Sequence, residues 1–368
     1  MPEKPQKTSP KYANLQSWLL MRSVFRDQWV LPVRGHSLTH RGFRWYEKHC
    51  MRVRLDGISI DRPVFIISLP RSGSSMLQDL LCAHPDAAYI TNMMYMFPDC
   101  FCAAEHFRRH LGLDVRGERF LQDSVEVGGG SPADPVGMWA TWLKQDPFTL
   151  AYQPCRISDY TPAEIAAIHD DIRRVLWCFG GGGRRFLCKT PALLPHILLL
   201  RDLFPGARFI HLVRDARQNA NSMLKLRRLC SEQWQLIRGR RPDAPDLPDL
   251  VPYPHLPRLQ ELAAQYGVDD IRTTAHLWND ATAFIEAARP QIPVAQFHEV
   301  RYEDIVARPR EEMQRLFQFL QLPEPDAACA TYQKRLAGVG TIRHQNRYSG
   351  FETVEEICRP TLQKFGYV

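Results

Sequence analysis

The segment Pro63-Val-Phe-Ile-Ile-Ser-Leu-Pro-Arg-Ser-Gly-Ser-Ser75 decides the fold class of this chain. Its apolar run over residues 63–68 is typical of a short buried β-strand. The pattern from about Ser75 to His84 predicts a helix, and the residues between strand and helix are mostly small. A strand, a turn of small residues and a helix in this order indicate an α/β protein.

Apolar runs of the same kind recur along the chain and are separated by segments of helical length. They predict four further strands, at Ala87 to Ile90, Arg185 to Cys188, Arg208 to Val213 and Gln296 to Tyr302. Strands that are almost continuously apolar need cover on both faces. We therefore predict an α/β fold with a central parallel sheet, helices on both faces and right-handed crossovers.

The composition is that of a globular protein. With 368 residues, 45% of them hydrophobic and 24% charged, the chain can bury a large core, which excludes a disordered or fibrous class. The formal net charge of +7 favours an anionic ligand, although mild basicity without functional meaning fits equally well. Because the basic residues form no long cationic run, we expect no nucleic-acid partner.

The cysteines and the N-terminus bear on the compartment. Ten cysteines stand at irregular positions without paired CxxC units, which predicts free thiols and a reducing compartment. Residues 1–10 are polar, and no run reaches the roughly 18 apolar residues that cross a bilayer. We therefore expect a cytoplasmic protein.

Two segments stand outside the alternation of strands and helices. Tyr12 to Leu31 has the pattern of an amphipathic helix, which either packs against the protein's own core, the favoured interpretation, or rests on a membrane surface. Arg241 to Pro257 is rich in proline and predicts an extended surface loop, either a cover over a binding site or an insertion.

The turn after the first predicted strand has the properties of an anion site. Its small residues let successive backbone N–H groups converge in front of the next helix, whose N-terminus is electropositive. Gly73 permits a left-handed backbone, Ser74 and Ser75 offer hydroxyl donors, and Arg71 supplies a fixed positive charge. An ordinary strand-to-helix turn with a serine cap would show the same residues. Because GxxxxGK[ST] is absent, the turn favours a metal-free phosphosulfate site over a magnesium triphosphate site.

Three segments resemble signatures of the sulfotransferases that depend on 3′-phosphoadenosine 5′-phosphosulfate (PAPS). Pro70-Arg-Ser-Gly-Ser-Ser75 resembles their 5′-phosphosulfate loop, and residues 208–222 resemble the strand and helix that bind the 3′-phosphate. Phe186-Leu-Cys-Lys-Thr-Pro191 is similar to the family's strand that ends in a catalytic lysine. The resemblance spans about residues 61–360 and is closest to the bacterial and carbohydrate sulfotransferases.

The resemblance implies a P-loop-type three-layer fold and transfer of a sulfuryl group from PAPS to an acceptor hydroxyl by in-line displacement. It implies catalytic roles for Lys189 and Arg71, without a metal. It also implies a donor-binding set: Arg71, Ser72, Gly73, Ser74, Ser75, Met76, Arg214, Ser222 and Arg343. Residues 61–368 would form the catalytic domain, and residues 1–60 would be a helical extension that packs on it.

The acceptor and the general base are not specified by the motifs. Pro191 stands where some sulfotransferases carry a histidine, and residues 89–96 contain no acid where others carry a glutamate. The nearest replacements are Asp99, Glu105 and His106, each more typical of a solvated helix or loop. The acceptor is expected to be a small molecule, a carbohydrate or a lipid.

Two further segments have structural interpretations. Met93 to Met96 either line an adaptable acceptor pocket or, as favoured, pack in a core. Tyr302 to Asp304 resemble the family's late strand and helix and are interpreted as architectural.

Two alternative functions remain open at this point. One is a P-loop kinase or nucleotide triphosphatase, and the other is a non-catalytic relative that binds nucleotide or a membrane surface. The sequence does not predict the oligomeric state.

Overall fold

The computed structural model describes residues 38–112, 116–118, 126–240, 250–341 and 348–368. The chain divides into two compact units, the smaller made of residues 1–54 and 90–133, the larger of residues 55–89 and 134–368. The amphipathic segment at residues 12–31 and Arg343 lie outside the described residues. The predicted boundary near residue 60 stays a prediction.

The strands fall into two sheets. In chain order they are β1 (Val64–Ile67), β2 (Ala87–Ala88), β3 (Arg116–Glu118), β4 (Glu126–Gly128), β5 (Arg185–Lys189), β6 (Arg208–Val213) and β7 (Phe297–Arg301). Strands β3 and β4 form an antiparallel pair in the smaller unit. The other five form a sheet in the larger unit with the order β2-β5-β1-β6-β7 and parallel pairing throughout. This confirms the predicted central parallel sheet and its five strands.

Helices connect and flank these strands. They are α1 (Leu38–His49), α2 (Ser74–Cys82), α3 (Asn92–Met96), α4 (Phe101–His110), α5 (Val136–Trp142), α6 (Pro162–Cys178), α7 (Ile197–Leu203), α8 (Ala216–Arg240), α9 (Leu259–Tyr266), α10 (Ile271–Ala288), α11 (Tyr302–Ala307), α12 (Pro309–Leu320), α13 (Ala330–Ala337) and α14 (Phe351–Lys364). Short 3-10 helices lie at Pro98–Cys100, Ile157–Asp159, Pro191–His196, Arg289–Gln291 and Val294–Gln296. The helix predicted after the small-residue turn is α2. Among the described helices, none is both long and apolar enough to cross a bilayer.

Both faces of the parallel sheet are buried. Alternate residues of β1, such as Ile66, join an apolar cluster with Leu81 of α2 and Phe317 of α12. On the opposite face the fully buried Phe65 stacks on Phe209, with ring centroids 5.9 Å apart, and meets Trp139 edge-on at the same distance. Truncating such a core aromatic to alanine typically costs about 3–5 kcal/mol. The two-sided burial explains the continuous apolar strands in the sequence.

The register of the sheet brings the predicted site segments to one edge. Ile66 of β1 pairs with Lys189 on one side and with Ile210 on the other. The turn after β1, the end of β5 and the residue after β6 therefore share the carboxyl edge, where α/β folds bind their ligands.

The smaller unit has its own apolar core. Phe43 of α1 stacks on Phe107 of α4, with ring centroids 5.0 Å apart. Met93, Met94 and Met96 are almost completely buried, which supports the core interpretation of this methionine segment over an acceptor pocket.

Candidate active site

The turn after β1 is held in a left-handed conformation at two positions. Arg71 has φ 66° and Gly73 has φ 87°, the latter immediately before the first residue of α2. A Cβ atom at position 73 would fall within the ring of Tyr302, so only glycine fits there. The first N–H groups of an α-helix point toward its open N-terminal end, and α2 begins at Ser74, directly after this turn. The turn is thus a backbone cradle suited to an anion.

Two of the predicted signatures meet at Arg71. Its Nε donates a hydrogen bond to Oγ of Ser222 on α8 at 3.1 Å, and its carbonyl oxygen accepts one from Nη1 of Arg214 at 2.9 Å. Ser222 is buried. Residues about 150 positions apart in the sequence are therefore in direct contact.

Arg214 is fixed from several directions. Its guanidinium lies over the Tyr302 ring, 4.7 Å from the centroid, and its carbonyl oxygen accepts a hydrogen bond from Nε1 of Trp278 at 3.0 Å. The neighbouring Asp215 pairs with Arg217. The Nε of Arg214 is buried and has no hydrogen-bond partner among the described residues, so this cation keeps a donor for a ligand.

Asn219 supports the turn from below and was not identified from the sequence. It is completely buried on α8, and its Nδ2 donates to the carbonyl oxygen of Pro70 at 2.9 Å and to Oγ of Ser72 at 3.2 Å. It precedes Ser222 by three residues and therefore lies on the same helical face. That spacing was the one available signal in the sequence.

Lys189 lies at the end of β5 and forms an ion pair with Asp134. The distance from Nζ to Oδ2 is 2.8 Å, and only 6% of the lysine side chain is exposed, against 41% of the aspartate. The other carboxylate oxygen, Oδ1, is buried and has no hydrogen-bond partner among the described residues. Asp134 belongs to no motif, so the sequence did not identify it.

Comparisons with known proteins establish the family of this chain. The model of the sulfotransferase family matches residues 63–244 and 255–326, which is more than half of the chain. This chain belongs to the sulfotransferase family. The resemblance seen in the sequence and the predicted enzyme class are thereby confirmed.

Relatives of this sulfotransferase come from bacteria and animals. The omega-hydroxy-beta-dihydromenaquinone-9 sulfotransferase Stf3 of Mycobacterium tuberculosis is 23% identical over 320 residues, covering 83% of this chain and 76% of the relative. Protein-tyrosine sulfotransferase A of Caenorhabditis elegans is 20% identical over 272 residues, covering 74% of this chain and 53% of the relative. The solved structure of sulfotransferase STF9 from Mycobacterium avium, 17% identical, superposes with a TM-score of 0.55 and covers 98% of this chain and 88% of its own. It confirms the predicted fold.

The remaining predicted donor residues of the sulfotransferase differ in their surroundings. Ser72 and Ser74 are buried in the turn and at the start of α2, and Ser75 is partly buried. Met76 is also partly buried and packs against the apolar cluster beneath the sheet. Arg343 lies outside the described residues.

The three base candidates of the sulfotransferase belong to the smaller unit. Asp99 is exposed. The buried carboxylate of Glu105 accepts a hydrogen bond from Oγ1 of Thr91 at 2.9 Å and pairs with Arg108 and Arg109. Burial, followed by the charge of His110, lowers the pKa of His106. Glu105 is therefore occupied as an internal anchor of its unit.

No group of three or more potential metal ligands is present among the described histidines, cysteines, aspartates and glutamates. The prediction of metal-free chemistry stays a prediction.

Proposed function

We propose that this sulfotransferase uses PAPS as donor and transfers the sulfuryl group to an acceptor hydroxyl by in-line displacement. The observation that carries the proposal is the contact of Arg71 with both Ser222 and Arg214. It unites the turn suited to a phosphosulfate with the arginine and serine suited to a second phosphate. PAPS carries both groups on one nucleotide.

The residues fit such a donor. The amides of the turn, with Ser72 to Ser75, would hold the 5′-phosphosulfate in the cradle that Gly73 permits. Arg214 and Ser222, together with Arg343, would hold the 3′-phosphate, and the unpartnered Nε of Arg214 is a donor suited to it. Met76 follows the turn at a position where many relatives carry an aromatic residue that stacks on adenine, so recognition of the adenine ring would differ in this protein.

PAPS supplies an activated sulfuryl group on a phosphate leaving group. The chain supplies position and charge: Arg71 and Lys189 place cations where negative charge grows in the transition state. Removing one such fixed donor typically costs about 10²–10³ in rate. We propose these two residues as catalytic.

For the acceptor we propose a hydroxyl on a small molecule, carbohydrate or lipid, with a hydroxylated apolar molecule first. This order rests on the Mycobacterium tuberculosis relative, whose name gives an omega-hydroxylated menaquinone as its substrate. We further propose cytoplasmic chemistry without a metal or nucleic acid, in a catalytic domain that begins near residue 61.

For residues 12–31 we favour packing against the protein's own core, and peripheral membrane contact is the alternative, which has its own test. Membrane contact through this segment requires flotation with liposomes that is lost when residues 1–31 are removed. Equal flotation of both forms would contradict a role of this segment in membrane contact.

The donor is tested first by binding. Adenosine 3′,5′-bisphosphate should raise the melting temperature of the protein more than magnesium-ATP does. The reverse order would favour a kinase or nucleotide triphosphatase and contradict the proposal.

Turnover is tested with sulfur-labelled PAPS and a cell extract as the source of acceptor. Label should enter an organic product with the wild-type protein and fail to do so with Arg214→Ala or Lys189→Ala. Arg272→Ala is the matched control, since this exposed arginine pairs only locally with Asp270 and stacks on Tyr266. Unchanged labelling in both site variants would contradict the assigned roles.

A further inference from the structure

We propose that Asp134 is the general base that accepts the proton of the acceptor hydroxyl. The inference rests on the proposed function, because it assigns a residue to the same sulfuryl transfer. It is carried by the contact between Asp134 and Lys189 and by the free oxygen of that carboxylate.

Position is the first support. Lys189 ends β5 and pairs in register with Ile66, three residues before the turn of β1 begins at Leu69. Asp134 contacts the lysine ammonium from just before the start of α5. A carboxylate is therefore held beside the cation that is proposed to meet the sulfuryl group.

Lys189 and Asp134 both keep hydrogen-bonding capacity that the described residues do not use. A lysine ammonium has three donors, and Asp134 is the one partner of Lys189 Nζ among the described side chains. Oδ2 of Asp134 is used by the lysine, whereas Oδ1 is buried without a partner among the described residues. The Asp134 side chain as a whole is 41% exposed, so an acceptor hydroxyl can approach the carboxylate, and rotation about the Cβ–Cγ bond would present the unpartnered oxygen to it.

Charge argues against Asp134 as a binder of the donor. A carboxylate repels a phosphate or a sulfate, and the donor-binding cations Arg71 and Arg214 lie on the β6 side of β1. Asp134 and Lys189 lie on the β5 side. A carboxylate beside an anionic donor can instead take up a proton. In this reaction the acceptor hydroxyl is the group that loses a proton.

The surroundings of the carboxylate are defined. Besides Lys189, the titratable group that it influences is the thiol of Cys188, whose pKa burial raises to about 12, and which accepts a hydrogen bond from Nε1 of Trp139. This thiol stays protonated near neutral pH. Lys189 is the cation that forms an ion pair with Asp134.

The step balances. The O–H bond of the acceptor breaks and its proton moves to Oδ1 of Asp134. The electron pair left on the acceptor oxygen forms the new bond to sulfur. The bond from sulfur to the bridging oxygen breaks, and its electrons leave with adenosine 3′,5′-bisphosphate. The ammonium group of Lys189 stabilises the oxygens of the sulfuryl group during transfer.

The test uses sulfur-labelled PAPS and two probe acceptors that differ in their need for a base. The alcohol n-decanol must lose its proton during the reaction, whereas p-nitrophenol is already largely ionised at mildly alkaline pH. Asp134→Asn should slow transfer to decanol by about 100-fold or more, and transfer to nitrophenol much less. Asp170→Asn is the matched control, because it removes the carboxylate of a partly exposed ion pair with Arg173 on α6.

The outcomes separate the alternatives. Equal losses with both probes would overturn the base assignment and reduce Asp134 to a residue that positions Lys189. No loss with either probe would overturn it as well. If the wild-type protein transferred sulfur to neither probe and released no sulfate into water, the proposed function itself would fail.

A second variant covers the case in which Asp134→Asn does not fold, since it leaves a buried lysine without its counter-charge. Asp134→Glu keeps the charge and displaces the carboxylate by one methylene. This variant should slow sulfuryl transfer to decanol more than transfer to nitrophenol. Binding of adenosine 3′,5′-bisphosphate should be unchanged. Identical effects on the two probes would overturn the assignment here too.

Discussion

The two sides of the carboxyl edge of the sheet are built differently. The proposed donor region, below called the donor region, comprises the turn at residues 70–75 and the segment at residues 214–222. Four hydrogen bonds join these two segments, which lie about 150 residues apart. The proposed acceptor region, below called the acceptor region, comprises Asp134 and residues 189–196 and holds one ion pair. It also has three buried polar atoms without partners among the described residues, Asp134 Oδ1, Thr190 Oγ1 and His196 Nδ1.

Under the proposed function, this difference reflects the different demands of the donor and the acceptor. A nucleotide with several charges needs a preorganised site, because ordering polar groups at the moment of binding is costly. Polar atoms left open in the acceptor region can instead be satisfied by a substrate. We therefore expect substitutions that change the shape of the donor region to reduce transfer and binding. In the acceptor region we expect the main effects to come from changes of protonation.

The largest effect is expected at Gly73. Gly73→Ala places a Cβ inside the ring of Tyr302 and strains a left-handed backbone, so the cradle must open. Transfer should fall by about 1000-fold, or about 4 kcal/mol of transition-state stabilisation. Initial rates with labelled PAPS measure the loss.

Gly206→Ala is the control for this variant, since its added Cβ meets neighbours only at ordinary contact distances. A Gly73→Ala enzyme with normal rates would break the claim that the donor region depends on shape.

The next effect is expected in the acceptor region, where His196 should make the free energy of unfolding depend on pH. Burial, and next the charge of His255, lowers the pKa of His196 from 6.5 to about 4. The folded protein therefore holds this histidine neutral while the unfolded chain takes up a proton, so stability is full above pH 6.5 and falls as the pH drops toward 4. The loss between pH 7 and pH 5 should be on the order of 2 kcal/mol.

Urea unfolding at the two pH values measures this loss in the wild-type protein and in His196→Leu, in which the pH dependence should flatten. His49→Gln, at an exposed position, is the control. An equal pH dependence in the wild-type protein and in His196→Leu would contradict the assignment of this pH dependence to His196.

A smaller effect is expected at Asn219. Asn219→Ala leaves the carbonyl of Pro70 and the hydroxyl of Ser72 without their buried donor. An orphaned buried group costs about 1–3 kcal/mol, so affinity for adenosine 3′,5′-bisphosphate should fall about tenfold. Calorimetric titration measures it, with Asn221→Ala, which bonds only to its own helix, as the control.

The smallest effect is expected at Tyr302. The guanidinium of Arg214 lies over its ring, so Tyr302→Phe should bind the bisphosphate as the wild-type protein does. Tyr302→Leu should lose about threefold in affinity, because an exposed cation–π contact contributes roughly 0.5–1 kcal/mol. If Tyr302→Phe lost as much as Tyr302→Leu, the hydroxyl rather than the ring would carry the contact.

Much of the donor region was predictable because its residues stand next to strand ends. Continuous apolar runs predicted all five strands of the parallel sheet, and the residues that follow β1 and β6 were assigned from local motifs. The role of Asn219 was not predicted, because no local sequence pattern distinguishes a buried asparagine on a helix from a solvated one. The ring of Tyr302 escaped because its contact with Gly73 joins the ends of β1 and β7.

By itself the sequence determined the fold, the sulfotransferase family and the residues proposed to hold the donor, since each depends on patterns only a few residues long. The tertiary structure alone decided the partner of Lys189. Asp134 lies 55 residues away in a segment without a motif, and its carboxylate reaches the lysine only after α5 and β5 have packed. An ion pair between distant segments is fixed by three-dimensional packing, and no spacing along the chain encodes it.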